Sequence, residues 1–209
     1  MSRLKPETYR WSRALVGLAA ELSDATRVLV RRLRGGDAVA VGAAREFASR
    51  TLGLELPATL DAAALATALD RPVRVCGMVA NTGEPGGGPF WVRGAHGITR
   101  QIVQSAQVDP ASAAQQAVLA GATHFNPVFL ACALRDANDR PHDLARFVDP
   151  DAVIVTRKSH AGRELLALER PGLWNGGMAH WHTLFVEVPL EVFNPVKTVL
   201  DLLRPEHQA

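Results

Sequence analysis

Residues with types and spacing suited to chemistry fall into a few groups in this 209-residue chain. The first is Asn81-Thr82-Gly83-Glu84-Pro85-Gly86-Gly87-Gly88-Pro89. One carboxylate, Glu84, precedes Gly86, Gly87 and Gly88, and consecutive glycines let backbone N–H groups approach a ligand closely. A strand that ends in such a loop is a common place for phosphate or sugar recognition. The spacing is neither that of the Walker phosphate loop nor that of the dinucleotide fingerprint. The same run also reads as a tight connection between strands that merely needs glycine. A second group is Glu191 to Thr198, where Pro195 ahead of an apolar run places Lys197 in or near the first turn of a closing helix, Val196 to Leu203. A lysine there suits a phosphate and is otherwise mildly unfavourable to the helix dipole, though solvated lysines at helix starts are common. His124-Phe125-Asn126-Pro127 and His180-Trp181-His182 form the third group. In a strand His180 and His182 would share a face and could hold a metal with His124 or Glu187. No His-Glu-x-x-His or Cys-x-x-Cys spacing supports this, so no metal is expected. The histidines, Trp174, Trp181 and Asn175 are expected to line a pocket or the core. Cys76 stands in an apolar run and reads as core rather than nucleophile.

The elements that would carry these residues change character near residue 71. Pro6 opens a helical run in which Trp11, Leu15, Leu18, Leu22, Leu29 and Leu33 recur at helical intervals until Gly35-Gly36. Asp37 and Asp61 are expected to cap a second helix, ended by Gly53, and a third, running to Leu69. Beyond Arg71-Pro72, strands are expected at Val73–Val79, Phe90–Val92, Arg100–Ser105, Ala152–Thr156 and Thr183–Val188. A helix is expected from Pro110 to Leu119, an apolar stretch from Val128 to Leu134, and a loop around Trp174-Asn175-Gly176-Gly177. The fold class is therefore mixed α/β: a helical segment over residues 1–70 packed on a mixed-sheet body over residues 71–209.

Composition narrows the classes of function. Hydrophobic residues make up 47% and charged residues 21%, a globular balance. A net charge of +2 excludes a chain built wholesale to bind polyanions, although residues 1–50 alone carry a net +5. Arg27, Arg31, Arg32 and Arg34 could meet phosphates, yet arginines at a helix C-terminus also complement its dipole, and no aromatic interleaving accompanies them. Nucleic acid is not the expected partner. No apolar run is long and uncharged enough to read as a membrane span, and two cysteines 56 positions apart fit a reduced, cytoplasmic compartment.

Several strings resemble an uncharacterised bacterial family, domain-of-unknown-function family 4301. They include Arg74 to Val79, Asn81 to Val92, Gln101-Ile102-Val103 and His124-Phe125-Asn126-Pro127. The longest runs from Gly162-Arg163-Glu164-Leu165 through Pro171 to Gly176, Phe185 to Pro189 and Phe193 to Val199, closing at Glu206-His207-Gln208. Longer members look like sugar-nucleotide pyrophosphorylases, so the body is similar to the second half of a nucleotidyltransferase-like (GT-A-type) fold. In that comparison Phe193-Asn194-Pro195-Val196-Lys197 is similar to a segment whose lysine meets phosphate, and Glu84, the glycines and Asn126 would lie near the sugar.

The resemblance implies a sugar-phosphate or nucleotide-sugar binding half, with substrate contacts at Glu84, Gly86, Gly87, Gly88, Asn126, Trp174, Asn175 and Lys197. The Gly-rich, Thr-Arg-containing nucleotide loop and the acid that holds Mg2+ have no counterpart in this sequence. Catalysis, and Mg2+ with it, would then need a complementary N-terminal half. The alternative is a non-catalytic interaction or assembly module, working as a homodimer or as the partner of a split protein.

Overall fold

The structure, a computed structural model, describes residues 6–83, 86–94, 97–193 and 199–203, leaving aside the side chains of residues 126–128. Helix α1 runs Pro6–Arg34. Its buried residues Leu15, Ala19, Leu22, Thr26, Val30 and Leu33 follow the three-and-four spacing of a single helical stripe. It stops because Gly36 takes a left-handed φ of 78°. The amides of Gly36 and Asp37 then turn back to the carbonyls of Leu33 and Arg32, at 3.1 Å each. Helix α2 (Ala38–Arg50) is capped by Asp37, which accepts from the Val39 amide, and α3 (Ala62–Leu69) by Asp61, which accepts from that of Ala64.

A three-stranded sheet follows in the order β4-β1-β7. Its centre is β1 (Val73–Ala80), buried along all but its last residue. Strand β4 (His124–Ala133) pairs with it antiparallel and β7 (His182–Glu187) pairs with it parallel. Two hairpins stand beside the sheet: β2 (Gly88–Gly94) with β3 (Gly97–Val103), and β5 (Ile154–His160) with β6 (Arg163–Glu169). Helix α4 spans Ala113–Ala120.

Alternation along β1 divides the interior in two. Val73, Val75 and Val79 face Leu15, Ala19 and Leu22 of α1, with Phe125, Val188 and Val192 closing that cluster. Cys76 and Met78 face the other way, against Ile102 of β3. A second helical cluster joins Val30 and Leu33 of α1 to Ala44, Leu65 and Leu69 of α2 and α3.

The mixed α/β class and the helices-first order agree with the sequence expectation. Strand β4 begins four residues ahead of the expected apolar stretch. Strand β6 was not anticipated: most of its residues are exposed, so its pattern resembles neither a buried nor a half-buried strand. In place of a closing α-helix, Val199–Leu203 forms a 3-10 turn, and the expected start at Val196 lies outside the described residues. The basic face of α1 is largely consumed within the chain. Arg27 pairs with Asp139 at 2.8 Å, Arg32 with Asp37 at 2.8 Å and Arg34 with Asp70 at 2.7 Å. No described helix is long and apolar enough to cross a membrane.

Candidate functional site

Because β1 and β7 run parallel, their carboxyl ends open on the same side, where α/β sheets hold ligands. The glycine-bearing connection Asn81–Gly87 leaves β1 at this end. Asn81 roots it: its Nδ2 donates to the Ala122 carbonyl (3.1 Å) and its Oδ1 accepts from the Gly83 amide (3.0 Å). Strand β4 enters at the same end through an irregular register. Gly77 pairs with Phe129, Met78 with Pro127 and Val79 with Phe125, so β4 carries two extra residues, Val128 and Asn126. Such bulges re-aim side chains beside sites, and Pro127, which has no N–H to give a ladder, fits one. Their combined effect returns Phe125 to the α1 side, opposite Val79, and brings His124 to the other face, opposite Ala80.

A groove of about 350 Å³ forms there between the sheet and the β2–β3 hairpin, lined by Met78, Phe90, Trp91, Arg100, His124, Phe185 and Glu187. Its floor follows from register, since Met78 lies beside Glu187, and Cys76 beside Phe185. Glu187 Oε2 meets His124 Nε2 at 3.1 Å, and His124 Nδ1 meets the Thr123 hydroxyl at 2.9 Å. The hydroxyl, ring and carboxylate thus form a hydrogen-bonded chain at the groove mouth. Trp91 and Arg100 are paired across the hairpin. The guanidinium carbon lies 5.6 Å from the indole centroid, and Nη2 donates to the Leu52 carbonyl. Burial holds Arg100 below the usual guanidinium pKa. Trp91 remains 64% exposed, an aromatic surface open to the groove.

The expected site residues divide. Gly86, Gly87 and Gly88 lie at this end of the sheet, but the last two use their bare Cα positions against the protein's own backbone. A Cβ on Gly87 would overlap the Val103 carbonyl, and one on Gly88 would stand 2.6 Å from the His124 carbonyl oxygen. The backbone of Asn126 occupies the second β4 bulge. Glu84 and Lys197, and the side chain of Asn126, lie outside the description; the last residue described before Lys197, Phe193, packs on Phe125 with ring centroids 5.5 Å apart.

Trp174 and Asn175 sit in a different place, the turn Pro171–Gly177. Asn175 is buried with both ends of its amide engaged, donating to the Ala152 carbonyl at 2.8 Å and accepting from the Gly172 amide at 3.3 Å. This turn borders a second groove of about 400 Å³ between the hairpin and Asp149–Ala152, which Gly176 and Gln101 help to line.

The cysteines and histidines settle into distinct surroundings. Cys76 is fully buried and burial pushes its thiol up to about 12, which leaves no nucleophile there. His182 is buried and spends its Nε2 on the Leu69 carbonyl at 2.9 Å. Among the described residues no three His, Cys, Asp or Glu side chains gather as a metal site. Trp91, Arg100 and Phe185 were missed as site residues. Strand alternation carried the signal for Phe185, because Thr183, Phe185 and Glu187 fall on one face. Nothing local placed Trp91 and Arg100 over that face.

The sequence matches the family model described as Domain of unknown function (DUF4301) over residues 1–208. This chain belongs to the DUF4301 family. No curated protein matches it. Two solved structures of UDP-glucose pyrophosphorylase variants from Leishmania major, both in complex with UDP-glucose, are similar in part. One is 20% identical with a TM-score of 0.44, covering 81% of this chain and 41% of the enzyme. The other is 18% identical with a TM-score of 0.41, covering 78% and 39%. This DUF4301 chain therefore spans about two fifths of the length of those pyrophosphorylases.

Proposed function

We propose that this DUF4301 chain is a sugar-phosphate or nucleotide-sugar binding half of a nucleotidyltransferase-like protein, with the sugar seated in the groove at the carboxyl ends of β1 and β7. The observation that carries the reading is the composition of that groove. Phe90, Trp91 and Phe185 offer apolar faces to sugar C–H groups, while Glu187 and His124 in the same lining can accept from and donate to hydroxyls. Glu84, Gly86 and Asn126 are assigned to the sugar and Lys197 to the phosphate. Turnover is assigned to an assembly in which a complementary half supplies a nucleotide loop and an acid for Mg2+, since metal-assisted charge neutralisation is what phosphoryl chemistry needs.

A thermal-shift panel of UDP-glucose, glucose 1-phosphate and UTP, each with and without Mg2+, tests this. A ligand at a hundred times its Kd contributes about 2.7 kcal/mol, a rise of about 5–10 °C in a chain of this size. The rise is expected with a sugar-bearing ligand, and to vanish in Glu187→Gln and Trp91→Ala. Lys197→Ala is expected to weaken every ligand of the panel, since each carries a phosphate. An unchanged rise in the two groove variants, or none with any sugar ligand, overturns the assignment.

One observation favours the second reading, an assembly module. Val155, Leu166 and Leu168 lie on one face of the β5–β6 hairpin and are 59%, 66% and 62% exposed. Such a patch suits a homodimer. Light scattering after size exclusion is expected to give twice the chain mass at micromolar concentration, and the single mass in Leu166→Glu/Leu168→Glu. A monomer at all concentrations removes this reading.

A further inference from the structure

A cavity of about 850 Å³ lies at the opposite end of the sheet from the groove. Its walls come from the end of α1, the link between α3 and β1, and the segment 136–148 that follows β4. Its acids are committed. Asp70 accepts from Arg34 at 2.7 Å and from the Ala137 amide at 3.1 Å. Asp136 accepts from the amides of Asn138 and Arg140, and Asp143 from that of Ala145. Of the cations only Arg34 is bonded, to Asp70, while the Arg140 charge helps to hold the Asp136 carboxyl below its usual pKa. The guanidinium groups of Arg71, Arg140 and Arg146, all lining the cavity, make no hydrogen bond or ion pair with a described residue. His142 Nε2 is buried there without a partner, its ring set edge-on against Phe147. Burial pulls Arg71 below the usual guanidinium pKa.

The cavity wall is also held in shape before any ligand arrives. Arg135 and Pro141 bridge the base of the loop. Asp139 at its tip takes a left-handed φ of 65° and is held by Arg27 through its carboxylate (2.8 Å) and by Arg135 through its carbonyl (2.7 Å). A rigid wall with satisfied carboxylates and unpaired, fork-shaped guanidinium donors recognises phosphate oxygens. The volume exceeds that of a lone phosphate and matches a small phosphorylated metabolite.

We propose that this cavity is a second binding site, separate from the groove, for a small molecule recognised through a phosphate or diphosphate group by Arg71, Arg140 and Arg146. Inorganic pyrophosphate is the probe, titrated calorimetrically and followed in parallel by the NMR signal of the His142 ring. Saturable heat and a shift of the His142 signal are expected. Affinity is expected to fall at least tenfold in Arg140→Ala/Arg146→Ala, whose exposed side chains are not needed to fold, and to be unchanged in Lys197→Ala, which removes the lysine assigned to phosphate at the groove. Competition by UDP and by glucose 1-phosphate then identifies whether a nucleotide or a sugar phosphate is the better source of the group. The proposal is overturned by the absence of heat and shift up to about 10 mM pyrophosphate, by wild-type affinity in the arginine variant, or by a loss confined to Lys197→Ala. The last outcome would place the only phosphate site at the groove and leave the proposed function standing.

Discussion

Acidification from pH 7 to pH 4 is expected to remove about 3 kcal/mol of folding stability through His182 alone. The ring is wholly buried, and burial is the main force that lowers its pKa from 6.5 to about 4, with Arg71 pushing the same way and the bond to the Leu69 carbonyl opposing. Well above pH 6.5 the ring is neutral in both folded and unfolded chains and contributes no pH dependence. Between 6.5 and 4 the unfolded chain takes up a proton that the folded chain refuses, so stability falls as pH falls. His142, lowered by burial as well, adds to the slope in the same direction. Urea midpoints measured every half pH unit check this. Wild type is expected to lose stability steadily across that window, whereas His182→Gln, less stable at neutral pH, is expected to show a much flatter profile. Parallel profiles for the two proteins would remove His182 as the source.

The second large effect is expected at Gly87. Its substitution by alanine drives a methyl group into the Val103 carbonyl and the neighbouring Gln104 backbone, neither of which can rotate away as a side chain would. A cost of about 3 kcal/mol is expected, the upper range for overpacking. Gly83→Ala is the informative companion. Gly83 has a φ of 97° but no atom within 4 Å of an added Cβ, so only backbone strain of about 1–2 kcal/mol applies. Both losses should appear in chemical denaturation without any ligand. A Gly87→Ala protein within about 0.5 kcal/mol of wild type would show that this backbone has room to move.

Particular residues show what could and could not be read ahead of the structure. Asp37, Asp61 and Gly35-Gly36 act within a few residues of themselves, so helix boundaries were legible from local chemistry. Strand β1 was legible because it is buried on both faces and therefore dense in branched residues. The groove was not. It depends on β7 lying parallel to β1 across more than a hundred residues of chain, and on two successive bulges in β4 that no local pattern announces. The glycine run was recognised as unusual, but whether its bare backbone meets a ligand or the protein's own carbonyls is decided by residues distant in sequence, Val103 and His124. Asn175 likewise drew attention through its neighbours Trp174 and Gly176, and its amide proves to hold a turn together.

Helix α1 gives the change of grammar near residue 71 a different meaning for anyone dissecting the chain. Its 29 residues reach about 43 Å, long enough to serve both apolar clusters. Leu15, Ala19 and Leu22 cover the sheet while Val30 and Leu33 complete the helical cluster, and Phe47 and Leu184 pack against both. A cut between residues 70 and 71 would strip Val73, Val75 and Val79 of their cover and leave half of the α1 stripe bare on the other fragment. The two segments are therefore expected to unfold as one cooperative unit, since the body borrows its inner wall from the helices.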